Sequence, residues 1–150
     1  MKGDLMKKEI FKGVGTAIVT PFTDNDVNYE EFGRLLEDQI KAGVSSVIVC
    51  GTTGESATMS EDEKKRLIKY AIDKTASRIK VIIGTGSNNT MSAIRMSQYA
   101  EEAGADGLLL VTPYYNKTTQ EGLFVHYKAI ADAVSIPIIL YNVPSRTGVN

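Results

Sequence analysis

Five polar side chains end or follow three apolar runs of the sequence. Thr52 and Thr53 follow one run, Tyr115 follows a second, and Tyr141 and Arg146 end and follow a third. An arginine grips a carboxylate through two parallel hydrogen bonds, and threonine hydroxyls with loop amides can hold a second one. Tyrosines in hydrogen-bonded series can pass protons. These residue types indicate a small anionic substrate and proton transfer, but they name neither an electrophile nor a nucleophile.

The stretch at residues 51–55, Gly-Thr-Thr-Gly-Glu, lies between an apolar run and a helix start signal at Ser60. Its two glycines are expected to let the backbone turn sharply and present its amides, as an anion cradle requires. The alternative interpretation is that the two threonines only shape a turn. Likewise, the tyrosines after the later runs can be packing residues, and Arg146 can be a plain surface charge.

The elements that position these side chains are apolar runs that alternate with helix signals. Strands are expected at residues 14–20, 46–50, 81–83, 107–111 and 137–141. Helix starts are expected at Asn28, Ser60 and Thr118, each with a glutamate three residues later, and helix ends near Gly43 and Gly104. Because the apolar runs are continuous, the strands should be buried on both faces, as in a parallel sheet covered by helices.

Strict alternation of strand and helix leaves two architectures, a doubly wound sheet and a (β/α)8 barrel. Short returns and the lack of Gly-x-Gly-x-x-Gly at the first turn favour the barrel. A complete barrel needs about 250 residues. Residues 1–150 are therefore expected to form one partial TIM-barrel domain, from the first strand to the fifth, that lacks strand six onward. Loops that follow parallel strands share one face, where the polar side chains should meet.

The composition limits the class of protein. The chain is 43% hydrophobic and 23% charged with a net charge of −1, which is typical of a globular protein with no nucleic acid or membrane partner. Cys50, the single cysteine, lies in an apolar run and is expected to be an inert core residue in a reducing compartment. His126, the single histidine, is expected on the surface. We expect a cytoplasmic protein without a metal site.

Three stretches together resemble the dihydrodipicolinate synthase (4-hydroxy-tetrahydrodipicolinate synthase) family of the pyruvate-dependent class I aldolase superfamily. They are Gly-Thr-Thr-Gly-Glu at 51–55, Thr-Pro-Tyr-Tyr-Asn at 112–116 and Tyr-Asn-Val-Pro-Ser-Arg-Thr-Gly at 141–148. The resemblance runs from about residue 11 to residue 150. The first stretch marks only the superfamily, whereas the last is much more specific to the family.

The resemblance implies a (β/α)8 barrel in which a lysine forms a Schiff base with pyruvate. The enamine then adds to aspartate semialdehyde, which begins diaminopimelate and lysine biosynthesis without a cofactor. Tyr141 is the implied proton donor and acceptor, and Thr52 links it to Tyr115, which reaches in from a neighbouring subunit of a homo-oligomer (a dimer or tetramer). Thr53 is the implied partner of the pyruvate carboxylate, and Arg146 receives that of the semialdehyde.

Two features depart from the family pattern. The Schiff-base lysine of the family lies on strand six, and no lysine in this chain takes its place, so residues 1–150 alone are expected to be inactive. The residues that resemble a lysine effector site are Ser56, Ala57, Asn88 and Tyr114. Their expected partners, one or two histidines early in the second helix and a carboxylate early in the third, are replaced here by Glu61, Lys64 and Ser92, which puts lysine sensitivity in doubt.

Two other functions stay open at this point. One is a different aldolase of the superfamily, such as an N-acetylneuraminate or keto-deoxy sugar acid lyase, which has less use for Arg146. The other is a non-catalytic part-barrel that binds pyruvate-like acids or associates with a second copy through its exposed first and fifth strands.

Overall fold

Five parallel strands form the sheet of the computed structural model, which describes residues 9–24 and 26–150. The strands are β1 (Gly15–Ala17), β2 (Ser46–Val49), β3 (Lys80–Gly84), β4 (Gly107–Val111) and β5 (Ile138–Tyr141). They pair in the order β1-β2-β3-β4-β5, so each strand lies beside the next one along the chain. A doubly wound sheet reverses its strand order at a switch point. The observed order therefore rules out that alternative and matches successive strands of a barrel.

Five α-helices accompany the strands in the described part of the chain. They are α1 (Tyr29–Lys41), α2 (Glu61–Thr75), α3 (Thr90–Ala103), α4 (Gln120–Ala131) and the single turn α5 (Pro144–Thr147). Two short 3-10 turns, Thr52–Gly54 and Ser56–Thr58, lie between β2 and α2. Among the described residues, no helix has the length and apolar character needed to cross a membrane.

Side-chain caps set most helix starts where the sequence predicts them. The Asn28 side chain accepts a hydrogen bond from the Glu31 N–H, and Ser60 and Glu63 form a complete capping box. The fourth helix is an exception, because Thr119 rather than Thr118 accepts the hydrogen bond from its first turn. The predicted cap was wrong by one residue, since the glutamate three positions beyond Thr118 lies in the first turn instead of closing a box.

Strand ends follow the pairing rather than the apolar run. The first strand was predicted over residues 14–20, but only Gly15–Ala17 pairs with β2, because the chain beyond it turns towards the loop after β2. The third strand is longer than predicted at both ends, Lys80–Gly84. The fourth, Gly107–Val111, has both of its predicted ends.

The main core lies between one face of the sheet and the helices. Its strand members include Val47, Val49, Val81, Ile83 and Leu108, and its helix members include Phe32, Leu36, Leu67, Ile68 and Ala100. The three middle strands supply most of these buried residues, whereas β1 and β5 are only partly covered. The helices thus anchor the middle of the sheet, and the ends of those strands form the floor of the candidate site.

Candidate functional site

A cavity of about 490 Å³ opens at the carboxyl ends of the strands. It is lined by the loops after β2 to β5 and by the first turns of α2 and α3. Six of the predicted catalytic, substrate-binding and effector residues line it: Thr52, Ser56, Ala57, Tyr114, Tyr141 and Arg146. The expectation that strand-end loops bring these side chains together is thus met for Thr52, Tyr141 and Arg146.

The structure does not bring the other predicted residues into this cavity. Tyr115 is 91% exposed, has a left-handed backbone (φ 71°) and does not line it. Thr53 is exposed and also lies outside the lining. Asn88 does not line the cavity either, and its side-chain amide donates to the Tyr114 carbonyl at 3.2 Å. The roles assigned to Tyr115 and Thr53 therefore stay predictions.

The loop at residues 51–55 turns by a different means than expected. The positive φ angles belong to Cys50 (57°) and Glu55 (55°), whereas Gly51 has an ordinary φ of −76°. Space at Gly54 is tight, because a Cβ there would lie 3.1 Å from the Thr20 hydroxyl and 3.2 Å from the Ile18 carbonyl oxygen. That hydroxyl donates to the Gly54 carbonyl at 2.8 Å. The idea that both glycines supply the turns was wrong, and a contact with the chain after β1 holds the loop instead.

Cys50 immediately precedes this loop in the sequence and is buried. Burial raises the pKa of its thiol to about 12, so the reactive thiolate is scarce at neutral pH. Both observations support the interpretation of Cys50 as an unreactive core residue.

Two glycines let neighbouring strand ends approach each other in the cavity floor. A Cβ at Gly84 would overlap the Cys50 carbonyl, and one at Gly86 would overlap the Val111 backbone nitrogen. Thr85 lies between them, and its buried hydroxyl lies 2.8 Å from that of Ser97 on α3. Sequence reasoning missed Thr85 as a lining residue, although the Gly-Thr-Gly pattern after an apolar run was the available signal.

The segment after β5 is fixed by internal hydrogen bonds. The buried Thr147 hydroxyl donates to the Asn142 side-chain oxygen at 2.8 Å, and the Asn142 amide donates to the Val149 carbonyl at 2.9 Å. Between them, Arg146 occupies the single turn α5 and lines the cavity. These bonds limit the positions open to the guanidinium, and sequence reasoning did not single out Asn142 or Thr147 for this function.

The cavity wall carries charges of both signs. Lys64 and Arg146 are the cationic lining residues, and Glu55 and Glu61 are the anionic ones. Glu61 also pairs with Lys65 at 2.8 Å, and the hydrogen bond from Lys65 lowers the pKa of its carboxyl. Ser56, Ala57 and Tyr114, three of the four predicted effector residues, line the same cavity as the predicted catalytic residues Thr52 and Tyr141.

His126 is not on the surface, contrary to the prediction. It is 7% exposed, and its Nδ1 lies 2.9 Å from the Thr90 hydroxyl at the start of α3. Its Nε2 has no hydrogen-bond partner, and burial lowers the pKa of the ring. The apolar pattern of the helix gave the wrong exposure for this residue. Phe124 and Val125 are exposed, whereas His126 contacts the start of α3. Within residues 9–24 and 26–150, no group of three or more His, Cys, Asp or Glu could hold a metal ion.

A sequence profile of the dihydrodipicolinate synthetase family matches residues 10–150. The chain belongs to this family. The 4-hydroxy-tetrahydrodipicolinate synthase of Acetivibrio thermocellus is 58% identical over 145 residues, which cover 97% of this chain and 50% of that enzyme. The enzyme of the same name from Clostridium novyi is 57% identical over 141 residues, which cover 94% of this chain and 48% of its own length.

Solved structures of dihydrodipicolinate synthases have the same fold. The Aquifex aeolicus enzyme superposes with a TM-score of 0.91 at 49% identity, over 93% of this chain and 48% of that one. The chloride-inhibited Acinetobacter baumannii enzyme complexed with pyruvate gives 0.90 at 51% identity, over 93% and 48%. The predicted fold, the N-terminal part of a TIM barrel, is confirmed. The chain spans about half the length of the curated dihydrodipicolinate synthases it matches.

Proposed function

We propose that the intact protein containing this chain condenses pyruvate with aspartate semialdehyde to give 4-hydroxy-tetrahydrodipicolinate. The observation that carries the proposal is one cavity at the strand ends that holds Thr52, Tyr141 and Arg146 together in a chain of this family. The names of its relatives support the reaction, and the pyruvate complex of the A. baumannii enzyme supports the first substrate.

The reaction begins with a lysine amine that attacks the keto carbon of pyruvate. Loss of water gives a Schiff base, and loss of a methyl proton gives an enamine. The enamine carbon attacks the aldehyde carbon of the semialdehyde, and the resulting alkoxide takes up a proton. The substrate amine then attacks the imine carbon, which closes the ring and releases the lysine. Each stage moves a proton within one enclosed space.

The lining residues suit these proton transfers and the charges of the substrates. Tyr141 donates and accepts the protons, and the Thr52 hydroxyl connects it to the next tyrosine of the relay. Arg146 binds the carboxylate of the semialdehyde through two parallel hydrogen bonds. Thr53 lies outside the lining, and we assign it, with the amides of its loop, to the pyruvate carboxylate.

The relay is completed by a second subunit in this proposal. Tyr115 is 91% exposed and does not line the cavity of its own chain. A side chain that is displayed in this way can enter the cavity of a neighbouring copy. The active form is accordingly a homo-oligomer that is joined through the Tyr115 region.

The nucleophile is assigned to a lysine beyond residue 150. Among the described lysines, Lys64 lines the cavity, but it comes from α2 beside Glu61 rather than from a strand end. Residues 1–150 alone are therefore expected to show no turnover.

Borohydride trapping with pyruvate tests the assignment. The intact protein, the 150-residue chain and a Lys64→Ala variant of each are incubated with pyruvate, reduced and analysed by peptide mass spectrometry. We expect one modified lysine in both intact proteins, beyond residue 150, and none in the short chains. A modified lysine within residues 1–150 would show that the nucleophile has been misplaced, and an unmodified intact protein would overturn the Schiff-base mechanism.

A different aldolase activity is the first alternative. A substrate panel with aspartate semialdehyde, N-acetylneuraminate and a keto-deoxy sugar acid separates the reactions. Turnover of a sugar acid without condensation of the semialdehyde would replace the proposed function.

The second alternative concerns residues 1–150 expressed alone. It is a non-catalytic part-barrel that associates with a second copy of itself. It is favoured by exposed apolar side chains on the outer strand β5 and on the preceding helix α4, namely Leu140, Phe124 and Val125. An unpaired strand edge with apolar neighbours promotes pairing with a second copy. The mass in solution decides, because a stable monomer contradicts this candidate.

A further inference from the structure

Thr112 occupies an unusual position between the cavity and the helix layer. It directly follows β4 and is 3% exposed. Its backbone N–H donates to the Tyr141 carbonyl at 2.8 Å. Its hydroxyl lies 3.3 Å from the same carbonyl and 2.8 Å from the hydroxyl of Tyr127 on α4. One buried side chain therefore connects Tyr141 to a helix outside the site.

The number of protons sets the direction of these hydrogen bonds. The Thr112 hydroxyl has one proton, and the Tyr141 carbonyl can only accept. When Thr112 donates to that carbonyl, the Tyr127 hydroxyl must donate to Thr112. Burial raises the pKa of Tyr127, with a smaller opposing effect of the Thr112 hydrogen bond, so the phenol stays protonated at neutral pH. The hydrogen bonds therefore run in one direction, from the Tyr127 hydroxyl to the Thr112 hydroxyl and from there to the Tyr141 carbonyl, and each polarises the next.

Tyr141 lines the cavity, whereas the residue that hydrogen-bonds to its backbone carbonyl does not. Tyr141 pairs in register with Val111, and both residues line the cavity, whereas Thr112 and Tyr127 do not. The Tyr141 backbone is thus held by a residue outside the cavity, whereas Tyr141 itself lines the cavity. A rotation of about 10° at the Tyr141 Cα moves its hydroxyl by about 1 Å, a displacement that can cost about 100-fold in rate.

We propose that Thr112 and Tyr127 are positioning residues that hold Tyr141 in place for proton transfer. The inference rests on the proposed function, because it takes Tyr141 as the proton donor and acceptor. Neither residue contacts substrate. Their contribution is to keep the Tyr141 peptide in one orientation through two hydrogen bonds to its carbonyl.

The test compares Thr112→Val, Thr112→Ser and Tyr127→Phe in the intact protein. Valine keeps the shape and the backbone N–H but removes the hydroxyl, so kcat should fall about tenfold while the KM for pyruvate changes less than about twofold. Serine keeps the hydroxyl and should restore kcat. Tyr127→Phe leaves the bond from Thr112 to Tyr141 intact and should lower kcat only about threefold.

A second measurement does not depend on turnover. With tyrosines labelled at Cζ by ¹³C, the Tyr141 resonance is assigned by its loss in Tyr141→Phe. We expect this resonance to shift and broaden in Thr112→Val and to stay unchanged in Thr112→Ser. Far-ultraviolet circular dichroism checks that each variant folds, and Tyr127→Phe provides the comparison if the valine variant does not.

The outcomes separate the two proposals. Unchanged kcat and an unchanged Tyr141 resonance in Thr112→Val would overturn the positioning role, as would a loss that serine does not restore. An intact protein with no condensation activity would overturn the proposed function instead. In that case the resonance alone decides whether Thr112 and Tyr127 hold Tyr141.

Discussion

Leu110 on β4 and Leu140 on β5 are paired in register, yet they differ fully in exposure. Leu110 is 0% exposed and packs with Ala93 of α3 and Ile130 of α4, whereas Leu140 is 59% exposed. The two leucines pair with each other, but β4 has a strand on each side and α3 and α4 cover its Leu110, whereas β5 is an outer strand. We call the buried middle of the sheet, β2 to β4, the closed region, and the exposed β5 with the segment after it the open region.

The candidate site spans both regions. Its floor, with the loops after β2 and β3, belongs to the closed region, where Thr20 and Thr85 make buried hydrogen bonds to neighbouring elements. Tyr141 and Arg146 belong to the open region, where hydrogen bonds of the Thr112 and Thr147 side chains hold the backbone. The two regions should therefore respond differently to mutation.

The largest expected effect comes from truncating the two paired leucines. Leu110→Ala removes a fully buried side chain and should lower the free energy of unfolding by about 3 kcal/mol. Leu140→Ala should cost less than about 1 kcal/mol, since most of its side chain is already in water. Urea denaturation of the 150-residue chain, at a concentration where it is monomeric, measures both. Equal losses would contradict the division into a closed and an open region.

A smaller effect is expected from a methyl group in the cavity floor. Gly84→Ala places a Cβ against the Cys50 carbonyl and should lower the free energy of unfolding by about 2 kcal/mol. Gly51→Ala is the matched control, because its Cβ would lie 3.5 Å from Ile48 and its φ is ordinary. We expect the control to change stability by less than about 0.5 kcal/mol. Similar denaturation midpoints for the two variants would show that the strand ends can move apart.

The smallest expected effect is a pH dependence that arises between α3 and α4. Burial holds the pKa of His126 below its usual value, so the unfolded chain takes up the proton first. Stability should therefore be complete above about pH 6.5 and decline as the pH falls below it, by at most about 1.4 kcal/mol per pH unit. His126→Gln should decline less over the same range. Identical pH profiles of the urea midpoint would exclude this role of His126.

Several features were predictable because they depend on neighbours in sequence. The caps at Asn28 and Ser60 were found from patterns of four residues, since a cap bonds to an N–H three positions away. The grouping of Thr52, Tyr141 and Arg146 was predictable because parallel strands end at one edge. The predicted roles of Thr53 and Tyr115 were not tested by their positions in a single chain.

Other features depend on residues that are distant in sequence. The tight space at Gly54 arises from the Thr20 hydroxyl, and the burial of His126 arises from the start of α3. No local pattern contains either partner. The same holds for Thr112, whose contacts with Tyr127 and Tyr141 join two elements across 15 and 29 residues.

The sequence by itself determined the alternation of strands and helices, most helix ends, the family resemblance and which polar residues stand at strand ends. These depend on hydrophobic periodicity and on hydrogen bonds within a few residues. Only the tertiary structure decided that Tyr115 stands away from its own cavity, that Glu61 and Lys64 share the cavity with Tyr141, and that β5 is open. The physical reason is that exposure and contact are set by how separate elements pack, which local patterns do not encode.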